Sequence, residues 1–489
     1  MISEKSITFA IHTIGCKTNQ AESDDIARQL ILKGCRQLEI PDAVGSVEAI
    51  DAVGATCTAG VVSIASDAAC AVGVAPYVAD AAFAAGAGNG IDYIIINTCT
   101  VTTAADRKAR HLLRKLKNAS PKSKLIITGC FAELHRELAN DIPADFIFSN
   151  SRKKEIADFI CNAGSVKEGQ ATKAVMAAAA LTAKAQYAHS RAFVKIQDGC
   201  CQGCTYCIVP LARGPYLSTD PEIIINDIKS LVSFGHDEIV LTGIHIGKFG
   251  VDLLLKKDEI KTLPELILEI LKNTGVKRLR LSSIEINEID ESLVGVIRNN
   301  RSRIAPHLHI PLQSGSDKVL KTMNRKYDSG FFISAIEHIK RAIPDITLTT
   351  DIIVGFPGET GQDFTDTIEI VKSIGFSKIH VFKYSIRPGT KAAGMAGQVQ
   401  EKTKTERSSI LRGLGSDLRN SFMDSNISKK LDVACEEYNR ESGIASGTSE
   451  NYIKVYFDLN HEEYKEKKSK ILTVFTKSLY SDGLYGEAI

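Results

Sequence analysis

The sequence carries almost no excess of charge of either sign: 60 Lys and Arg stand against 58 Asp and Glu, a formal net charge of +2. A chain so balanced cannot hold nucleic acid through its overall field, so any such contact must come from a local patch. Cysteine is scarce, at 12 in 489 residues. That excludes a disulfide scaffold, and the clustering of the few present points to metal ligation in a reducing compartment. Long apolar runs are missing too. The Ala-rich stretch near residues 68–87 is interrupted by Pro76, Asp80 and several glycines, and lacks the Leu and Ile density of a membrane span. Met1-Ile2-Ser3-Glu4-Lys5 has no basic segment leading into an apolar one, so no signal peptide is expected and a cytoplasmic setting is. What is left has room for two or three domains with a large core.

The densest chemistry lies in Cys200-Cys201-Gln202-Gly203-Cys204-Thr205-Tyr206-Cys207. Cys200, Cys204 and Cys207 read C-x3-C-x2-C, with an aromatic directly before the last sulfur. Three thiolates on one tight loop can hold three irons of a cubane [4Fe–4S] cluster, which when fully ligated takes four cysteines. One iron is then left open, as a catalytic zinc keeps one position free. The alternatives are a zinc site or buried cysteines, but zinc usually draws on paired knuckles and no second knuckle follows.

Upstream, residues 7–14 read as a strand running into Gly15-Cys16-Lys17-Thr18-Asn19-Gln20, with a helix reaching Leu32. The run Tyr93–Asn97 ends at Thr98-Cys99-Thr100, and Leu125–Thr128 ends at Gly129-Cys130. Each cysteine lies just past a buried strand, where open α/β sheets place their ligands. One such cysteine alone would usually be a core residue. Cys16, Cys99 and Cys130 in equivalent positions suggest a second cluster, again one thiolate short of four. Residues 40–90 look like an Ala/Gly/Val-rich insertion, whose Cys57 and Cys70 close no recognisable strand. The helix over 105–117 has a basic face, open to two readings: a solvated charged surface, or a phosphate contact.

From Phe193 the pattern becomes repeated strand–helix units. Strands are predicted at Phe193–Gln197, Glu238–Thr242, Arg278–Ser283, His307–Pro311, Thr347–Val354 and His380–Ser385. Helices are predicted at Asp220–Phe234, Thr262–Asn273 and Gly361–Ile374. Six β/α units imply a parallel sheet curled into a partial barrel with its site at the C-terminal strand ends. Those ends carry Thr242-Gly243-Ile244, Ser282-Ser283-Ile284-Glu285, Gln313-Ser314-Gly315 and Gly355–Glu359, where glycines admit a ligand and hydroxyls or carboxylates can hold it. The tail from about residue 428 reads as a small antiparallel barrel. Tyr452, Lys454 and Tyr456 alternate on one predicted strand there, open to RNA-facing, core or surface roles.

Together these motifs resemble the radical S-adenosylmethionine methylthiotransferases over nearly the whole chain, the 40–90 insertion apart. The resemblance rests on Gly15–Gln20, Asn97–Thr102, Thr128-Gly129-Cys130, the Cys200/Cys204/Cys207 loop, His309–Ser316, Asp351–Thr360 and Tyr384–Thr390. Within the family the chain is most similar to the group acting on threonylcarbamoyladenosine. That similarity rests on the Gly-Cys-Lys-x-Asn-Gln-x-Glu-Ser opening, Lys195–Cys200 and Thr448–Ile453. Two positions depart from the pattern: Cys201 stands where Asn is usual, and Lys383 where Pro often is.

The resemblance implies an α/β protein of three parts: an open α/β domain (1–163), a linker (164–188) to a partial (β/α)6 radical SAM barrel (189–427), and a small antiparallel TRAM β-barrel (428–489). It implies two [4Fe–4S] clusters, one on Cys200, Cys204 and Cys207 with S-adenosylmethionine on the open iron, and an auxiliary one on Cys16, Cys99 and Cys130. Tyr206, Gly243, Ser283, Glu285, Gln313 and Gly355 would shape the cofactor pocket. Arg213, Arg387, Tyr452 and Lys454 would touch substrate, with structural salt bridges the alternative for the two arginines. Two cofactor molecules per turnover would serve, one yielding a radical that takes hydrogen from C2 of the modified adenine and one methylating the inserted sulfur. The implied partner is tRNA, at position 37 of the anticodon loop, where the base must leave its stack; a sulfur donor and a flavodoxin- or ferredoxin-type electron donor are also required. Competing readings are methylthiolation of isopentenyladenosine or of a ribosomal-protein aspartate, and, in another class, a non-enzymatic iron–sulfur sensor that binds RNA.

Overall fold

The computed structural model describes residues 6–38, 90–135, 143–163, 190–253 and 260–489. The Ala-rich insertion with Cys57 and Cys70, and the 164–188 linker, lie outside them. The chain divides into two compact units, one of Met1–Ala188 with Ile208–Gly214 and one of His189–Cys207 with Pro215–Ile489.

In the first unit, β1 (Thr8–Thr13), β2 (Arg36–Gln37), β3 (Tyr93–Thr98), β4 (Lys124–Gly129) and β5 (Phe146–Ile147) form a parallel sheet in the order β2-β1-β3-β4-β5. Its strands are continuously apolar because both faces are covered. Ile94 and Ile96 pack under α2 (Thr103–Ala119) with Leu112, Leu113 and Leu116. Ile95, between them, points the other way, to Ile26 and Leu30 of α1 (Lys17–Leu32) and Ile156 and Ile160 of α4 (Ile156–Ala163). The short α3 (Cys130–Leu134) follows β4. The order reverses between β1 and β3, where helices leave to opposite faces, so a crevice opens at their C-terminal ends.

The second unit holds six parallel strands, β6 (Ala192–Asp198), β8 (Glu238–Gly243), β9 (Arg278–Leu281), β10 (His307–His309), β11 (Thr347–Val354) and β12 (Lys378–Lys383). β7 (Leu217–Ser218) adds an antiparallel edge to β6. Ladders join β6-β8-β9 and β10-β11-β12, with an isolated parallel bridge, Leu279 to Ile304, between the two groups. The connecting helices begin at side-chain caps: Asp220, Asp290, Ser316 and Asp328, with capping boxes at Thr262/Glu265 and Thr360/Asp363.

After a helix at Glu401–Asp424, the tail closes as β13 (Lys430–Asn439), β14 (Ile444–Ser449), β15 (Lys454–Asp458), β17 (Gly483–Ala488) and β16 (Ile471–Tyr480). The barrel is not wholly antiparallel, since β15 and β17 run parallel. It sits against the N-terminal ends of the sheet strands, in part through an ion cluster. Glu238, fully buried, pairs with Arg278 and Arg280. Their remaining donors reach barrel carbonyls: Arg278 Nη1 to Asp432 (2.6 Å), and Arg280 Nη2 to Ser449 (2.8 Å).

Candidate functional site

Cys16 caps the N-terminus of α1, Cys99 follows β3, and Cys130 opens α3 directly after β4. Three adjacent strands thus deliver three thiols to the crevice of the first sheet. The residue before Cys16 and the residue before Cys130 have little choice. A Cβ on Gly15 would lie 2.9 Å from Asn19 Cγ and 3.1 Å from Cys99 Cβ; one on Gly129, at φ +99°, would lie 2.2 Å from the Thr98 carbonyl oxygen. Asn19 and Asn97 tie the rim together: Asn19 Nδ2 donates to Asn97 Oδ1 (3.1 Å) and the Thr98 carbonyl (3.0 Å), and Asn97 Nδ2 donates to the Asn19 carbonyl (2.8 Å). The thiols feel one another. Burial first, then Cys130 and Cys16, push the Cys99 thiol up to about 12. Such a set fits a thiolate-bound metal cluster, whose positive charge would stabilise the deprotonated sulfurs.

Arg213 belongs to the same unit. Its Nε lies 3.2 Å from Cys130 Sγ, Nη1 donates to Glu22 Oε1 (2.9 Å) and Nη2 to Asn19 Oδ1 (3.1 Å). Its side chain is 1% exposed and engaged in this ion network. Lys153 pairs with Glu22 from the other side.

In the second unit, Cys200, Cys204 and Cys207 follow β6. Cys200 Sγ is 3.3 Å from His245 Nδ1, and His245 Nε2 is 2.7 Å from Glu288 Oε1. Burial lowers the affinity of His245 for a proton, but its bonds to Cys200 and Glu288 outweigh this and raise its pKa to about 9. Arg325 Nη1 is 3.3 Å from Cys204 Sγ and 3.5 Å from the Tyr206 hydroxyl, and Nη2 pairs with Glu285. Burial raises the Cys204 thiol, Arg325 opposing it. The sequence reading missed His245, Glu288 and Arg325. His245 follows the Thr242-Gly243-Ile244 strand end and could have been found there; Arg325 has no local signal.

The expected pocket residues have mixed settings. Tyr206 packs against the cluster of Val319, Met323, Phe356 and Tyr384. Gln313 sits at φ 67°, its N–H donating to the Asp351 carbonyl at 2.9 Å, and Ser283 is half-buried beyond β9. Glu285 is engaged by Arg325. Close approach to Gly243 comes from the chain itself, since a Cβ there would lie 2.7 Å from the Gln197 carbonyl oxygen. Gly355, at φ +74°, is covered by Lys404, whose Cγ would lie 2.3 Å from an added Cβ. The Glu359 carboxylate accepts from its own loop at Gly355 N (3.0 Å) and pairs with Arg407.

Arg387 is buried. Tyr452 precedes β15, at φ 71°, and does not alternate with Lys454 on a strand. Its ring stacks on His307 at 4.5 Å, with Arg280 5.1 Å from its centroid. Lys454 is buried and pairs with Glu437 at 3.1 Å. Both residues thus have packing or ion-pair partners within this unit.

A partial parallel barrel with a three-cysteine loop at its C-terminal rim defines a radical S-adenosylmethionine enzyme. The Radical SAM superfamily matches residues 194–371, and the Uncharacterized protein family UPF0004 matches residues 83–149. The chain is 34% identical over 478 residues to the threonylcarbamoyladenosine tRNA methylthiotransferase MtaB of Thermotoga maritima, covering 98% of this chain and 96% of that protein. It is 38% identical over 376 residues to the Bacillus subtilis protein of the same name (75% and 82% covered). It is 32% identical over 417 residues to the tRNA-2-methylthio-N(6)-dimethylallyladenosine synthase of Syntrophus aciditrophicus (82% and 87%). Among solved structures, the radical S-adenosylmethionine methyltransferase TsrM of Kitasatospora setae shares the fold at TM-score 0.51 and 11% identity, covering 80% of this chain and 77% of that one. The chain belongs to the radical S-adenosylmethionine methylthiotransferase family.

Proposed function

We propose that the protein inserts a methylthio group at C2 of N6-threonylcarbamoyladenosine at position 37 of tRNA, within the anticodon loop, in the cytoplasm. The observation that carries this reading is the end-to-end match to a protein of that activity. No helix among the described residues is long and apolar enough to cross a membrane.

Cys200, Cys204 and Cys207 would hold the cluster that binds S-adenosylmethionine, and Cys16, Cys99 and Cys130 the auxiliary cluster. When bound, these groups would supply the radical that removes hydrogen from C2 and the sulfur and methyl group that replace it. The chain's own residues do the rest. Arg213 beside Cys130, Arg325 beside Cys204 and His245 beside Cys200 set donors and positive charge against the ligating sulfurs, which favours the reduced, more negative state of a cluster. Gly15 and Gly129, where a Cβ would meet the chain itself, let the segments carrying Cys16 and Cys130 pack closely beside Cys99. Arg107, Arg110 and Arg114 are exposed on α2, which begins just past Cys99, and form a stripe suited to phosphate contacts. A flavodoxin- or ferredoxin-type protein would supply electrons, and a separate donor the sulfur.

Mass spectrometry of tRNA nucleosides from cells with and without the gene tests this. Loss of 2-methylthio-threonylcarbamoyladenosine is expected. Loss of the dimethylallyl counterpart, or no change, would overturn it.

A further inference from the structure

Outside both cysteine sites, the second unit gathers two imidazoles and a carboxylate: ligand-capable atoms of His309, Asp351 and His380 all lie within 4.8 Å of one another. The sheet register puts them together. His309 pairs with Thr349 and His380 with Asp351 across neighbouring parallel strands, and residues two apart on a strand share a face. Leu308, Leu348 and Ile352, on the other face, are buried. The three polar groups are half-buried, with side chains of His309 and Asp351 12% and 20% exposed.

Two further details give the cluster a direction. His309 Nδ1 lies 2.9 Å from the Thr349 hydroxyl, which also lies 3.1 Å from His307 Nε2. A hydroxyl has one proton, so it can donate to one ring and accept from the other. His309 Nε2 lies 3.1 Å from Asp351 Oδ2. At that distance a proton on Nε2 is donated to the carboxylate, so His309 holds Asp351 in place. Asp351 and His380 complete the cluster, one an acceptor and one able to donate. Packing connects the same strand face to the cysteine loop. Ile353, two residues beyond Asp351 on the same face, packs against the Met323–Phe356–Tyr384 group that receives Tyr206, about 7 Å further along the strand. The Gln313 N–H donates to the Asp351 carbonyl at 2.9 Å.

We propose that Asp351 and His380, with His309 as the positioning residue, form the subsite for the polar N6 substituent of the target base; this rests on the function proposed above. A threonylcarbamoyl group carries a hydroxyl and N–H donors for Asp351 and a carboxylate for His380. A dimethylallyl group offers neither, and would strip water from Asp351 and His380 without replacing it. Sites built to hydrogen-bond a substrate reject analogues lacking the bond far more strongly than apolar pockets discriminate by size. The rival occupant is a divalent metal, since two histidines and an aspartate also make a metal site.

The test uses the full chain with both clusters reconstituted, and anticodon stem–loops carrying either threonylcarbamoyladenosine or dimethylallyladenosine. His380→Phe is expected to lower kcat/KM for the first RNA by roughly 10- to 100-fold, the loss of one hydrogen bond to a charged group, chiefly through KM. The ratio between the two RNAs should fall with it, and His380→Gln should recover part of the loss. Asp351→Asn should move the ratio the same way. A merely structural role would lower both RNAs together and leave the ratio unchanged, which would overturn the subsite. One equivalent of zinc in the wild type that is lost in His380→Phe would overturn it in favour of the metal. Wild type acting only on the dimethylallyl RNA would overturn the proposed function itself, and the subsite with it.

Discussion

Replacing Glu238 by Gln removes the carboxylate paired with both Arg278 and Arg280 at the seat of the C-terminal barrel while keeping the side chain's shape. Glu238 and Arg280 are fully buried and Arg278 nearly so. Breaking a buried pair from one side strands the other charge and costs about 3–5 kcal/mol. The direction of the Glu238 pKa shift agrees. Burial raises the Glu238 carboxyl, but Arg278, Arg280 and Arg191 bring it down to about 2 from an ordinary 4.5, a gap corresponding to about 3 kcal/mol. Because the folded value is depressed, this stabilisation is present above pH 4.5 and is lost as pH falls toward 2. Thermal unfolding of the full chain by calorimetry should therefore show Glu238→Gln melting roughly 6–20 °C below wild type at pH 7, at about 2–4 °C per kcal/mol. The difference should shrink as pH drops below 4.5. A variant within about 2 °C of wild type at pH 7, or a difference that does not change with pH, would refute the reasoning.

Gly129→Ala puts a Cβ 2.2 Å from a backbone oxygen at a positive φ, so it should cost at least about 1–3 kcal/mol and reduce the iron retained after reconstitution, read by metal analysis. His245→Ala removes the imidazole beside Cys200, and should make the midpoint potential of the reconstituted cluster there more negative by on the order of 50 mV in an EPR-monitored titration, about 1 kcal/mol for one electron. Cys161→Ala and Cys201→Ala should leave iron content unchanged. Cys161 is buried beside Cys35, their sulfurs 3.7 Å apart, and Cys201, although next to Cys200, is exposed.

Much of the fold is legible in the sequence because it is written in apolar runs. Thr347–Val354 and Gly361–Ile374 have the expected bounds, since alternation and a capping Thr mark their ends. The two-residue strands β2, β5 and β7 are too short to leave a pattern; only their neighbours' hydrogen bonds define them. The cysteine positions were readable because each follows a strand, but Arg213 was not. It lies over eighty residues from Cys130 in sequence and joins the first unit through a short excursion of the chain. Tyr452 misled because an alternating run looked like a strand, whereas a left-handed turn ends just before β15 and turns its ring into His307. The Glu359 carboxylate closes its own loop, which a motif cannot reveal.

The central claim is that two separate trios of cysteines each hold a cluster. Iron and sulfide analysis with Mössbauer spectroscopy of anaerobically reconstituted protein tests it most directly, comparing wild type with the Cys16→Ala, Cys99→Ala, Cys130→Ala triple variant. The account predicts roughly eight irons per chain falling to about four, with reductive cleavage of S-adenosylmethionine retained and methylthio transfer lost. Two clusters persisting in the triple variant, or zinc in place of iron in the wild type, would contradict it.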